Sequence, residues 1–144
     1  MLLSYSFSNF QSFRELTQVS TTVSEKVAPS DWLTATSTGE RINKVIAVMG
    51  ANGSGKTTLL KPLVFLDWFI SHSFSQAPEA AIPFTPHFAT TNEATEFSAT
   101  AIYKGQIWKY VLRCIPERVI HEALYVKRER FKYVFVRDWD DSTQ

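Results

Sequence analysis

This sequence of 144 residues has a single cysteine, nearly balanced positive and negative charges, and no long apolar run. The single cysteine, Cys114, excludes an intrachain disulfide, so a reducing cytoplasm is the simplest expected location. The formal net charge of +1 gives no general attraction to nucleic acid or to an acidic membrane surface. The most apolar segment, residues 59–70, is interrupted by Lys61 and Asp67 and is shorter than the ~20 residues of a membrane span. We therefore expect a soluble protein with no membrane partner.

Apolar and aromatic side chains, by contrast, are plentiful. Hydrophobic residues make up 44% of the sequence and aromatic residues 14%, which is enough for a folded core and argues against disorder. The length suits one domain better than two.

The N-terminal part of the chain favours β-structure. Residues 3–9 alternate between apolar side chains and serines, a pattern typical of a half-buried strand. The density of Thr and Val favours a second strand within residues 13–23. Residues 24–41, rich in Ser and Thr, are expected to form a surface connection.

A strand, a glycine-rich turn and a helix then follow in direct succession. The continuous apolar run of residues 45–49 predicts a strand covered on both faces. Residues 57–71 predict a helix that is apolar nearly all round and buried in a larger body, with a kink at Pro62. The C-terminal part predicts an antiparallel meander with strands at residues 96–103, 106–115, 118–126 and 132–136.

The turn at residues 50–57 fits the phosphate-binding pattern G-x-x-x-x-G-K-[ST] at every fixed position. Glycines let the backbone approach phosphate oxygens, and amides at a helix N-terminus form an anion-binding nest. Lys56 is the candidate catalytic residue because its ammonium can neutralise the β- and γ-phosphates, and the Thr57 hydroxyl is the candidate Mg²⁺ ligand. The loop residues predicted to bind ATP are Gly50, Asn52, Gly53, Ser54, Gly55, Lys56, Thr57 and Thr58.

Hydrolysis requires more than this loop. It needs a Walker-B carboxylate for the metal and a residue that polarises the attacking water. The apolar run that ends in an acid is residues 133–138, but Arg137 interrupts it, so an edge strand is the preferred interpretation and Asp138 the remaining candidate. No stretch resembles an LSGGQ signature. The chain is therefore expected to act as an ATPase only if residues from elsewhere complete the site.

The first strand, the sequence N-F-Q-S-F-R at residues 9–14 and the loop with residues 58–61 resemble the start of ABC-type ATPases of the SMC, RecF and OLD kind. The chain is most similar to bacterial AAA-family ATPases of anti-phage systems, such as the PtuA-like ATPases of Septu and of certain retrons. This resemblance covers nearly the whole chain and includes the proline-bearing insertion and the following strands.

The resemblance implies the α/β fold class, with an incomplete P-loop NTPase core of ABC-ATPase type over residues 1–72. It implies a proline-bearing insertion over residues 73–94 and an antiparallel β subdomain over residues 95–144. In such ATPases each nucleotide lies between the phosphate loop of one subunit and the signature motif of another. The resemblance therefore implies ATP and Mg²⁺ as cofactors, a homodimer or higher oligomer, a nuclease partner, and Phe13 or Arg14 near adenine or ribose.

The histidines, the cysteine and a basic patch are further candidate sites. His72, His87 and His121 lack metal-ligand spacing to one another or to Cys114, and are interpreted as surface or half-buried histidines. Cys114 is interpreted as a small buried side chain. A basic patch with interleaved aromatic residues could contact DNA or RNA, although a solvated strand face is the commoner reading; it comprises Lys127, Arg128, Arg130, Lys132 and Arg137 with Tyr125, Phe131 and Tyr133.

Two alternative functions remain open at this point. A small P-loop kinase would need an arginine-rich lid, and the insertion contains no arginine. A non-enzymatic interaction module would use nucleotide to stabilise a surface that holds a nuclease or another subunit, and the open edges of the meander could supply that surface.

Overall fold

A computed structural model of the chain describes residues 1–140. The elements in chain order are β1 (Leu2–Ser8), β2 (Thr17–Ser20), β3 (Leu33–Ala35), β4 (Arg41–Asn43), α1 (Lys56–His72), a 3₁₀ turn (Ser73–Ser75), β5 (Thr95–Tyr103), β6 (Gln106–Ile115), β7 (Arg118–Lys127) and β8 (Phe131–Asp138). Six strands form one antiparallel sheet in the order β2-β1-β5-β6-β7-β8, and β3 pairs with β4. No helix among the described residues is long and apolar enough to cross a membrane.

Helix α1 packs on one face of the sheet and forms the main core with it. In β1 the alternating residues Tyr5 and Phe7 are buried, and Phe7 lies opposite Phe97 of β5. Phe65 of α1 stacks against Phe97 with ring centroids 4.6 Å apart, and Leu66 and Phe69 join the same cluster. The predicted mixed α/β class is confirmed as a helix on an antiparallel sheet, while the P-loop NTPase core remains a prediction.

The predicted strands of the meander are confirmed, and the turns between them explain their register. Lys104 and Gly105 connect β5 to β6 with φ values of 48° and 72°, the combination of a two-residue hairpin turn whose twist matches the flanking strands. Cys114 of β6 is fully buried, and burial raises the pKa of its thiol to about 12, so it packs as a small uncharged side chain.

The prediction of a buried strand at residues 45–49 is wrong. This segment is irregular, and Val45, Ile46 and Met49 are 64%, 44% and 90% exposed. A strand forms only where a neighbour accepts and donates its ladder hydrogen bonds, and no strand of residues 1–140 pairs with this segment. The apolar pattern correctly identifies residues that favour a strand, but it does not show whether another strand lies beside them.

Residues 1–140 cover helix α1 on one side only, and the prediction that a larger body buries the rest stays a prediction. The buried residues of α1 lie on the face toward the sheet, whereas Leu60, Val64 and Ile70 are at least half exposed. The cause is that the sheet covers one side of the helix. The helix runs continuously through Pro62, which is itself buried.

Two N-terminal expectations need smaller corrections. Within residues 13–23 the strand is limited to β2, because Phe13 belongs to a tight turn in which Phe10 and Phe13 exchange backbone hydrogen bonds of 2.8 and 2.9 Å. The expected surface connection over residues 24–41 contains β3 and leads into β4. Their hairpin contributes Ile42 to a second buried cluster.

The sheet is continuous across the predicted regions. Strand β1, from the predicted core, pairs with β5, from the predicted β subdomain, over residues 2–8 and 96–101. The division at residues 72 and 94 remains a prediction, and residues 141–144 of the last region lie outside the described residues.

Asn9 fastens the end of the predicted insertion to the end of β1. Its buried side chain accepts hydrogen bonds from the His87 amide (3.1 Å) and the Thr90 hydroxyl (2.6 Å). It donates to the carbonyl oxygens of Thr90 (3.1 Å) and Glu93 (2.8 Å). Because every polar atom of this carboxamide is used, residues 87–95 are held against the turn that follows β1.

Candidate functional site

Glycine is required at several points of the loop at residues 50–57. Gly53 and Gly55 have φ values of 78° and 88°, in the left-handed region that other residues rarely enter. At Gly50 a Cβ atom would lie 2.8 Å from the Ser54 hydroxyl oxygen. The loop can therefore fold back on itself and enter α1 only with glycine at these positions.

Lys56 lies at the first position of α1 and turns back over the loop. Its Nζ atom donates hydrogen bonds of 2.7 Å to the carbonyl oxygens of Gly50 and Ala51. The ammonium is therefore held at the mouth of the loop by neutral acceptors. An anion that enters the loop offers a stronger, charge-assisted partner for the same donor.

The N-terminus of α1 is free of groups that would compete with an anion. Gly55 is the N-cap and supplies no side-chain hydrogen bond, and the first turn contains no acidic residue. The first amides of a helix have no intrahelical partner and carry a partial positive charge. Thr57 is exposed at this end, whereas Thr58 is half-buried.

Phe13, one of the two residues expected near the base or ribose, contacts the loop directly. Its ring atoms lie 3.2 and 3.3 Å from the position that a Cβ atom on Gly55 would occupy. The other side of the ring packs against Phe7, with centroids 5.2 Å apart. Arg14 is exposed and lies 3.9 Å from the carboxylate of Glu15. The assignment of these two residues to adenine or ribose stays a prediction.

Two residues near the loop were missed by the sequence analysis. Gln11 Oε1 accepts a hydrogen bond of 3.0 Å from Lys61 and one of 3.5 Å from Thr58, so it ties the turn after β1 to the first turns of α1. The Tyr5 hydroxyl donates to the Leu59 carbonyl oxygen at 2.8 Å. Gln11 stands inside the N-F-Q-S-F-R sequence that was singled out, but nothing in that sequence identifies its partners.

Gly55→Ala is expected to weaken nucleotide binding and to lower the free energy of unfolding. The new methyl group meets Phe13, and the alanine has to adopt the positive φ of this position. Together these two effects cost on the order of 1–3 kcal/mol. Gly105→Ala is the matched control, since Gly105 has a φ of 72° with open space around it. Calorimetric titration with ATP and urea unfolding measure both effects. A nucleotide affinity that falls no further in Gly55→Ala than in Gly105→Ala would contradict the role assigned to this glycine.

Asp138, the remaining Walker-B candidate, is not near the loop. It lies at the end of β8 and contacts His121 Nδ1 of β7 at 2.6 Å. Strands β5, β6 and β7 separate β8 from β1, so at ~4.8 Å per strand Asp138 is about 19 Å across the sheet from the end of β1. The preferred interpretation as an edge strand agrees with the position of β8 at the sheet edge.

The histidines are separated from one another by the fold. His87 is buried and accepts a hydrogen bond from the Ala89 amide at 3.2 Å, His121 is half-buried beside Asp138, and His72 is exposed at the end of α1. Within residues 1–140, no three or more His, Cys, Asp or Glu side chains come together as a metal-binding group. A Mg²⁺ ion at the loop would therefore take oxygen ligands from phosphates and water besides any from the protein.

Comparison with known proteins identifies the family. Residues 45–143 match the family model described as "AAA domain, putative AbiEii toxin, Type IV TA system". The match covers more than half of the chain and begins just before the loop at residues 50–57. No curated protein matches the chain. Because the match covers more than half of the chain, the chain belongs to this family of AAA domains, which suggests a nucleotide-binding, ATPase-type function.

Proposed function

We propose that the chain binds Mg²⁺-ATP through residues 50–58, as the ATP-binding part of an ABC-type ATPase in a bacterial anti-phage complex. The observation that carries the proposal is the arrangement at the start of α1. An uncapped helix end without first-turn acids follows a loop kept open by glycines, and Lys56 rests on loop carbonyls that phosphate oxygens can replace.

Each part of this arrangement has a role in the proposal. The amides that lead into α1 bind the phosphate oxygens, and Lys56 moves from Gly50 and Ala51 to the β- and γ-phosphates. Thr57, exposed in the first turn, would hold Mg²⁺ through its hydroxyl oxygen, and the bound ion would neutralise phosphate charge. Phe13, already against the loop, and Arg14 are the residues proposed to lie near adenine or ribose.

Hydrolysis is proposed to depend on residues outside this chain. Among residues 1–140, Asp138 was the Walker-B candidate, and its place at the opposite edge of the sheet removes it. Residues outside positions 1–144, in the same polypeptide or in a second one, would supply the carboxylate and the signature residues. We therefore propose a homodimer or higher oligomer in which ATP is held between subunits.

The defence role rests on two supports. The family description names a toxin of a type IV toxin–antitoxin system, and the sequence resembles the ATPases of anti-phage systems. A nuclease is the proposed partner of the complex. The fold alone does not carry this role, because one fold hosts many functions.

The contribution of Mg²⁺ is tested with Thr57→Val. We expect Mg²⁺ to increase the ATP affinity of the unmodified chain. In Thr57→Val this increase should be about tenfold smaller, since one ligand to the ion is lost. Isothermal titration calorimetry with and without Mg²⁺ measures the difference. Thr58→Val is the control because its hydroxyl contacts Gln11 instead. An undiminished Mg²⁺ effect in Thr57→Val would rule out this ligand.

A nucleotide-stabilised interaction module is the second candidate function. It is favoured by β8, which forms a sheet edge and in which all eight residues are exposed. Such an edge can pair with a strand of another protein. A partner that still co-purifies with the Lys56→Ala variant would favour this function over an ATP-dependent complex.

A further inference from the structure

Two exposed aromatic side chains and a half-buried one cluster on the sheet face away from α1, at the ends of β7 and β8 that meet in their connecting turn. We call Tyr125, Phe131 and Tyr133 the aromatic platform. The rings of Tyr125 and Tyr133 lie 4.9 Å apart between centroids, and Phe131 stands edge-on to Tyr125 at 6.5 Å. Tyr133 is 67% exposed and Phe131 41% exposed. Single exposed rings are common, but rings that cluster on one face are a feature of interaction surfaces.

A β-bulge creates the platform. Leu124 pairs with Phe135, but the next residue, Tyr125, pairs with Tyr133 because the register shifts between them. In an unbroken ladder Tyr125 would face Val134, so the bulge replaces a valine with a tyrosine on this face. Bulges re-aim side chains in this way.

Cations flank the platform, and one of them, Lys127, also lies near the acid Glu40. Lys109 lies beside Tyr125 in the register of β6 and β7, and Lys127 lies beside Phe131 in that of β7 and β8. Arg128, Arg130 and the acid Glu129 lie in the turn between β7 and β8, whereas Lys132 pairs with Val126 and faces the α1 side of the sheet. Arg137, which the sequence placed in the same patch, is engaged elsewhere, since its Nε donates to Glu122 at 2.5 Å on the α1 side of the sheet.

We propose that the aromatic platform binds single-stranded nucleic acid, with bases stacked on the rings and the phosphate backbone on the neighbouring cations. Flat rings with positive charges beside them offer partners to both the bases and the phosphates of such a strand. A protein partner of acidic character would use the cations but would not require planar rings. A duplex keeps its bases stacked inside and would leave the platform unused.

The test is fluorescence anisotropy with a labelled oligothymidylate of about 20 nucleotides, which exceeds one binding site. We expect Tyr133→Ala and Tyr133→Leu to weaken binding roughly 5- to 150-fold, the effect of losing one stacked base, while Tyr133→Phe binds as the unmodified chain does. An Arg128→Ala/Arg130→Ala variant should lower the slope of log affinity against log salt by about 0.7 for each cation that contacts a phosphate.

Three controls make the result decisive. Tyr103→Ala removes another exposed tyrosine beside a lysine, Lys104, outside the platform, and should leave binding unchanged. Lys56→Ala should also leave it unchanged, because the oligonucleotide is not expected to use the phosphate loop. Circular dichroism checks that each variant is folded. Unchanged affinity in both Tyr133→Ala and Tyr133→Leu, an equal loss in Tyr103→Ala, or tighter binding of a duplex of the same length would overturn the proposal.

Discussion

Lys56→Ala is expected to abolish measurable ATP binding, with a loss of at least roughly 100-fold in affinity. The ammonium rests on the Gly50 and Ala51 carbonyl oxygens at 2.7 Å, within the loop that is proposed to receive the phosphates. Charge-assisted hydrogen bonds to two phosphates contribute about 1.5–3 kcal/mol each, and every 1.4 kcal/mol is tenfold in affinity. Isothermal titration calorimetry with Mg²⁺-ATP measures the loss directly.

Lys61→Ala is the matched control for Lys56→Ala. Lys61 is a second lysine on α1, but its Nζ atom contacts Gln11 rather than the loop carbonyls. We expect it to change ATP affinity little, because it lies beyond the first turn of the helix. Urea unfolding of both variants separates loss of binding from loss of structure. Equal ATP affinity in Lys56→Ala and the unmodified chain would refute the proposed phosphate site.

Phe97→Ala is expected to lower the free energy of unfolding by about 3–5 kcal/mol. The Phe97 side chain is fully buried between the sheet and α1, with ring centroids 4.6 Å from Phe65 and 5.4 Å from Phe10. Removing the ring loses its burial and leaves a cavity that the rigid aromatic neighbours fill incompletely. Since the total stability of a domain is about 5–15 kcal/mol, this one change removes a large part of it.

Phe74→Ala is the control for the loss of a phenyl ring. Phe74 lies in the 3₁₀ turn after α1 and is fully exposed, so its removal should change the free energy of unfolding by less than about 0.5 kcal/mol. Urea titration followed by circular dichroism measures both variants under the same conditions. Similar losses for Phe97→Ala and Phe74→Ala would show that the core is not centred on Phe97.

The sequence pattern predicted most of the strands because the alternation of apolar and polar residues lies within each strand. In β1, Tyr5 and Phe7 alternate with serines, so the aromatic side chains lie on the buried face of the strand and the serines on the more open face. The turn at Lys104 and Gly105 ends β5 and begins β6 at the residues expected. Within the loop, the spacing of Gly50, Gly53 and Gly55 identified backbone positions at which the folded chain leaves no room or adopts a positive φ.

The predictions that failed depended on distant neighbours. Residues 45–49 have the composition of an interior strand, yet strand structure requires a partner that the composition does not name. The exposure of Leu60 and Val64 on α1 also depends on neighbours, since a helical pattern shows which residues are apolar but not how many surfaces cover them. The preferred interpretation of residues 133–138 as an edge strand agrees with the structure, in which Asp138 lies on β8, four strand positions from β1.

The sequence by itself determined the phosphate-binding pattern of residues 50–57, the helix that follows it and the strands of the sheet. Each of these features depends on residues that are close together along the chain. Tertiary structure alone decided that Phe13 lies against Gly55, that Asn9 holds residues 87–95, and that a bulge turns Tyr133 toward Tyr125. The first two contacts join residues far apart in the chain, and the third depends on how β7 and β8 pair. Their geometry follows from strand register and packing, which depend on all the neighbours at once.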